Sequence, residues 1–179
     1  MDRVQAVLDY IAQLEPDDWS VADLNLAATG IKVEYGDDWD GYTRAVSLAS
    51  YFPRQIINQV AKGPTLTYLK YYDIVNARLD NMALRLANYL ETQGFRGFPV
   101  PASQETGEYK LASIFSHRMA AYWGGLGWIG KNGSIIHPEV GPRLRLVTIL
   151  TDAPLPAKKP LECTCPEHCR ACQTICRCV

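Results

Sequence analysis

Not one cysteine occurs in the first 162 of the chain's 179 residues. Disulfides therefore cannot brace the core. A globular chain of roughly 150 residues already buries about 68–70% of its unfolded surface, so it does not need them. Long hydrophobic runs are also missing, and no stretch approaches the ~20 apolar residues that a membrane span requires. The opening residues, MDRVQAVLDYIAQLEPDDW, are amphipathic and acidic, without the apolar run or small-residue cleavage site of a secretory signal. These absences point to a cytoplasmic protein with no membrane partner, in a compartment where thiols stay reduced. A strong basic excess is lacking too. The net charge is −1 and the pI about 6.3, so charge alone gives no reason to expect a nucleic-acid partner. The charge is unevenly spread, with ten acidic and two basic side chains in the first 42 residues and sixteen basic against nine acidic in the rest. The two segments are expected to attract each other, and the basic remainder could favour an anionic ligand.

What is present reads as a mixture of helices and strands. Val4, Val7, Leu8 and Ile11 share one helical face, which predicts a helix over 3–14 ended by a polar turn at Asp17, Asp18 and Trp19. EYGDDWDGY (34–42) reads as a loop, and RAVSLASYF (44–52) as a strand that Pro53 stops. After Gly63-Pro64, the residues Tyr68, Tyr72, Val75, Leu79, Met82, Leu86 and Tyr89 recur every three or four positions up to Gly94, a C-cap glycine. Thirty helical residues would run about 45 Å, so a break near Tyr71–Asp73 is expected. Two prolines make FRGFPVPAS (95–103) extended. Ser116 is placed to N-cap a short helix through His117, Met119, Ala120 and Trp123, and RLRLVTILTD (143–152) reads as a strand. No regular βαβ spacing appears. The fold class is therefore α+β, a largely antiparallel sheet flanked by helices, with residues 1–155 as one domain and 156–179 as a cysteine-rich segment.

All six cysteines crowd into the last seventeen residues, as Cys163-x-Cys165-x3-Cys169-x2-Cys172-x3-Cys176-x-Cys178. Thiolates are soft ligands, and this spacing lets one short loop wrap several of them around one centre. Cys169-x2-Cys172-x3-Cys176 matches the second half of the bacterial ferredoxin motif. The preceding gap, back to Cys165, is one residue longer than usual, and Arg177 replaces the expected proline. Cys165, Cys169, Cys172 and Cys176 are thus the expected ligands of an iron–sulfur cluster. Zinc would suit four thiolates equally, although its paired C-x2-C units are absent. A disulfide staple fits the even count but not the compartment.

Five glycines fall between Gly124 and Gly133, in the stretch SHRMAAYWGGLGWIGKNG. Such a turn lets backbone approach a ligand closely, and its N–H groups with Lys131 could hold an anion. It has neither the Walker register nor a preceding strand for a dinucleotide fingerprint, and a purely structural turn reads equally well. At least one of Gly127 and Gly130 is expected to have positive φ or to touch a ligand through its backbone. His117, taken alone, is more simply a packing histidine at a helix start than a ligand.

GLGWIGKNG, followed by GPRLRLVTILTDAPL and a cysteine cluster, resembles the epoxyqueuosine reductase family, relatives of the reductive dehalogenases. The likeness reaches upstream through YYDIVNARLDNMALRLANYLETQG and FPVPAS and covers roughly residues 44–176. The resemblance implies a nitroreductase-like core holding cobalamin, with a [4Fe–4S] cluster feeding it electrons. It sets Gly125, Gly127, Trp128, Ile129, Gly130, Lys131 and Asn132 against the corrinoid, and makes Cys169, Cys172 and Cys176 cluster ligands. The expected activity is that of an oxidoreductase acting on a small molecule or with a redox partner. The alternatives are an electron-transfer or corrinoid-reactivating protein with no substrate of its own, and a zinc-stabilised binding module. The family places a carboxylic acid proton donor in a V-D-S-A-like stretch upstream of the glycines. Here that stretch reads Leu111-Ala112-Ser113-Ile114-Phe115-Ser116-His117, with no carboxylate, which leaves His117 as the catalytic substitute. With that acid missing and no basic stripe evident, no tight tRNA binding is expected.

Overall fold

The computed structural model describes residues 2–36, 38–39, 41–104, 114–170 and 172. Helix α1 (Arg3–Gln13) starts at Asp2, whose carboxylate accepts a hydrogen bond from the Val4 N–H at 3.0 Å. Strand β1 (Asp18–Asp23) follows, then a 3₁₀ turn (Leu24–Ala27) and α2 (Ala28–Tyr35). Strand β2 (Arg44–Tyr51) leads into the short α3 (Arg54–Asn58) and the long α4 (Leu66–Thr92). Strand β3 (Gly97–Val100) precedes α5 (His117–Trp123), the two-residue strands β4 (Trp128–Ile129) and β5 (Ile135–Ile136), and β6 (Leu144–Thr151).

Four strands form one antiparallel sheet in the order β1-β2-β6-β3, and β4 and β5 form a separate hairpin. Strand alternation divides the core into two layers. Val46, Leu48, Val147 and Ile149 point to one face, where Val7 and Ile11 of α1 and Leu79, Leu86 and Leu90 of α4 cover them. Each such fully buried aliphatic side chain contributes about 1.5–3 kcal/mol. Ala45, Ala49, Leu146 and Leu150 point to the other face, under α5 and the β4–β5 hairpin. The expected α+β class with an antiparallel sheet is observed.

Two local expectations are corrected. Asp18 and Trp19 do not end a helix in a turn but begin β1, pairing with Ala49 and Leu48. Helix α4 runs 27 residues without the expected break. In its first turns Tyr68 stacks on Phe52 with ring centroids 5.5 Å apart, and the Arg145 guanidinium lies 4.3 Å over the Tyr72 ring. These contacts, one of them from β6 itself, hold the first turns of the helix in place. The charge asymmetry resolves as attraction. Asp17 pairs with Arg78 (2.9 Å), Asp23 with Arg44 (3.0 Å), and Asp18 meets His137 (2.8 Å).

Beyond β6 the chain stays on the core. Ala153 and Leu155 are buried, Arg44 Nε donates to the Leu155 carbonyl (2.9 Å), and the Lys158 N–H donates to the Val21 carbonyl on β1 (3.1 Å). No described helix is long and apolar enough to cross a membrane.

Candidate functional site

Helix α5 can approach the sheet closely because small residues meet there. Ala120 and Ala121 are fully buried, and a Cβ on Gly124 would press against the Ser20 side chain. Ser116 caps the helix, accepting from the Met119 N–H at 3.3 Å. The chain then reverses at Gly125 (φ +71), where a side chain would run into the Lys159 carbonyl. Gly127 and Gly130 do not have positive φ; Gly125 and Gly133 do. Gly127 is needed because a Cβ there would strike the Ile136 carbonyl across the hairpin. Gly130, Asn132 and Gly133 build the hairpin turn. The Gly133 N–H donates to the Gly130 carbonyl (2.9 Å), and Asn132 Oδ1 accepts from the Ser134 N–H (3.2 Å). Close packing against neighbouring backbone or side chains at Gly124, Gly125, Gly127 and Gly130, and positive φ at Gly125 and Gly133, thus account for these glycines.

Three residues of the loop face the cysteine segment. Trp128 and Ile129 line an open cavity of about 460 Å³ together with Tyr122, Leu161 and Cys163. Lys131 reaches further, its Nζ donating to the carbonyls of Pro166 (3.2 Å), Glu167 (2.6 Å) and Cys169 (2.9 Å). The Cys169 N–H closes the same turn onto the Pro166 carbonyl at 2.9 Å. One ammonium therefore uses its three donors on the turn between Cys165 and Cys172. Cys163, Cys165, Cys169 and Cys172 are free thiols. The Cys165 thiol is pushed up, first by desolvation and then by Cys169, while Lys131 pulls it down. Among the described residues no three His, Cys, Asp or Glu side chains are gathered as a metal set, and Cys176 lies outside those residues.

Replacing Lys131 with Met should release this turn without touching the core. Amide exchange over 166–172 and alkylation of Cys169 and Cys172 are expected to speed up at an unchanged melting temperature. Unchanged exchange would show that the three bonds do not hold the turn.

His117 is not poised as an acid. Its Nε2 lies 2.9 Å from the Pro101 carbonyl, which can only accept, so the proton resides on Nε2. Its Nδ1 then accepts from the Thr148 hydroxyl at 2.8 Å. Burial holds the imidazole pKa below its usual value, so it stays neutral. Both nitrogens are engaged within the protein, and the geometry is that of a strut between β6 and the chain leaving β3. Leu111, Ala112 and Ser113, which occupy the place of the family's acid, lie outside the described residues.

A second histidine escaped the sequence reading. His137 is almost fully buried, and its Nδ1 accepts from the Glu139 N–H (3.1 Å), so Nε2 carries the proton and donates to Asp18 Oδ2 (2.8 Å). The Tyr51 hydroxyl lies 3.2 Å from the same nitrogen, its pKa pushed up to about 12 by burial and then by Asp18. The group ties the start of β1 to the end of the hairpin. No local pattern announces it, because Asp18 and His137 are 119 residues apart.

No family model matches the chain. It is 30% identical over 145 residues to the epoxyqueuosine reductase of Salmonella typhimurium, covering 76% of this chain and 35% of that protein. The chain belongs to the epoxyqueuosine reductase-like family. It spans about a third of the length of the curated relatives it matches. Its fold is shared with a reductive dehalogenase whose structure suggests a mechanism for B12-dependent dehalogenation, with a TM-score of 0.69 and 16% identity over 88% of this chain and 22% of that one. It is shared too with an epoxyqueuosine reductase solved with an epoxyqueuosine-modified tRNA stem loop, with a TM-score of 0.58 and 19% identity over 95% of this chain and 50% of that one. The curated relatives named epoxyqueuosine reductase and that tRNA stem-loop complex contradict the expectation of no tight tRNA binding for this chain. The physical error was to weigh net charge, whereas phosphate contacts depend on where a few basic groups stand.

Proposed function

We propose that this chain forms the cofactor-holding part of a corrinoid- and iron–sulfur-dependent reductase, with a nitroreductase-like core and the cysteine segment as its electron-delivering end. The observation that carries this reading is Lys131, which joins the glycine loop to the turn between Cys165 and Cys172 and so unites the two candidate cofactor elements. The donor chemistry fits: Cys165, Cys169 and Cys172 are unpaired soft ligands on one short segment, and Cys176 completes a set of four. Trp128 and Ile129 offer an apolar surface on which the flat edge of a corrinoid could rest. When bound, the cluster supplies single electrons and the corrinoid a reducible cobalt. The chain's own part is to orient both and to keep the cysteine turn fixed against the loop. The 460 Å³ cavity is of a size for a drug-like ligand, so a corrinoid would be only partly enclosed by the described residues.

Protein prepared without oxygen and supplied with iron and sulfide should hold the two in near-equal amounts, and Cys172→Ala should lose both while its core melts as before. Titrated hydroxocobalamin should quench Trp128 fluorescence, an effect that Trp128→Phe removes. Stoichiometric zinc without sulfide would sink the cluster half of the proposal, and absence of saturable quenching the corrinoid half.

A further inference from the structure

We propose that the cavity on the other side of the β4–β5 hairpin binds a small organic anion, a carboxylate or phosphate carried on a flat apolar body. Strand β3 ends where Val100 faces Thr148, so residues 144–147 of β6 have no strand beside them on that edge. A cavity of about 390 Å³ lies there, within the usual range for small-molecule sites. It is separate from the cavity beside Cys163, since Ser134 and Ile135 line this one and Trp128 and Ile129 the other.

Its walls are of two kinds. Phe52 and Tyr68, stacked with an interplanar angle of 17°, make a flat aromatic side, and Leu144 and Leu146 make an aliphatic one. Arg118 and Arg145 also line it, and among the described residues neither has a carboxylate partner. Arg145 is held in place: Nε donates to Asn76 Oδ1 (3.0 Å), Nη2 donates to the Ala102 carbonyl (3.1 Å), and its plane rests on Tyr72. Arg118 donates to the Gly133 carbonyl at 2.6 Å. Asp80, the carboxylate tied into this corner, accepts from the Ala102 N–H (2.7 Å) and pairs with neither arginine. Arg118 is exposed and Arg145 half-buried, and with no carboxylate paired to either among the described residues both are available to form charge-assisted hydrogen bonds to an anion seated against the apolar walls. The aromatic wall selects a planar body to carry it. The site needs no metal or cofactor, so it stands apart from the proposal above.

Calorimetric titration of the full chain with 2-naphthoate, its neutral isostere 2-naphthamide and inorganic phosphate tests the assignment. Naphthoate is expected to bind at least tenfold more tightly than the amide and more tightly than phosphate. Arg118→Gln, at an exposed position that leaves the melting temperature unchanged, should weaken naphthoate about tenfold. Equal binding of amide and acid, an unaffected Arg118→Gln variant, or no saturable binding of naphthoate would each overturn the proposal. Stoichiometric displacement of naphthoate by hydroxocobalamin would give the arginines to the cofactor and overturn a separate small-molecule site.

Discussion

Gly127→Val is expected to lower the melting temperature and to remove both cavities' common wall. A Cβ at residue 127 would strike the Ile136 carbonyl and come within 3.2 Å of Ile135 Cγ1. The obstacle is the backbone of β5, which cannot rotate away as a side chain can. Trp128 pairs with Ile136, so the hairpin would have to open or shift as a unit. Overpacking of this kind costs about 1–3 kcal/mol. In a chain of this size that corresponds to a drop of roughly 2–12 °C by calorimetry. Gly130→Ala is the milder comparison: its Cβ would meet Ile136 Cγ1 and Asn132 Oδ1, side-chain rather than backbone atoms, so a smaller drop than that of Gly127→Val is expected. A Gly127→Val protein that melts with the wild type would mean the hairpin is not held as described.

His117→Ala should be at least as damaging, for a different reason. It strands the Thr148 hydroxyl, on a fully buried residue, and the Pro101 carbonyl without their partner. An unsatisfied buried polar group costs about 1–3 kcal/mol, so a loss of at least about 2 kcal/mol is expected in denaturant titrations. The pH dependence has a definite sign. Burial, the foremost cause, lowers the pKa of His117 in the native protein, whereas in the unfolded chain it titrates near its ordinary value of about 6.5. Below that pH the unfolded state binds the extra proton and the native state resists it. Wild-type stability should therefore fall as pH drops through about 6.5 towards the native pKa, and be indifferent to this group above it. The difference between wild type and His117→Ala should shrink as the pH falls. A difference that grows on acidification would show that His117 is charged in the native protein.

Much of the scaffold could be read from the chain because its signals are local. Ser116 announces α5 by its capping geometry, and the alternation in RLRLVTILTD announces β6. Strand β1 was hidden because its first residues, Asp18 and Trp19, look like a turn until β2 and His137 are seen beside them. The unbroken α4 was hidden because Tyr68 and Tyr72 are held by Phe52 and Arg145, which are distant in sequence. At the site, the glycine loop and the cysteines were each visible, and what joins them was not. Lys131 looked like a cation for a bound anion and instead holds three carbonyls of its own chain. The pairing of Asp18 with His137, and of two arginines around one cavity, depends on tertiary placement that no spacing encodes.

The return of the chain over β1 after Leu155 bears on how the sheet's outer edge is covered. An outer strand presents a row of unpaired backbone groups to any passing chain. The β3 edge is blunted by being four residues long and carrying Pro99, which has no N–H to offer. The β1 edge has six residues and no proline, and its Val21 carbonyl is occupied by the Lys158 N–H. The link between core and cysteine segment is thereby also a guard against edge-to-edge association. A shortened protein cut just after Leu155 would keep its hydrophobic core but bare that strand, and the practical consequence is a folded species that self-associates as its concentration rises.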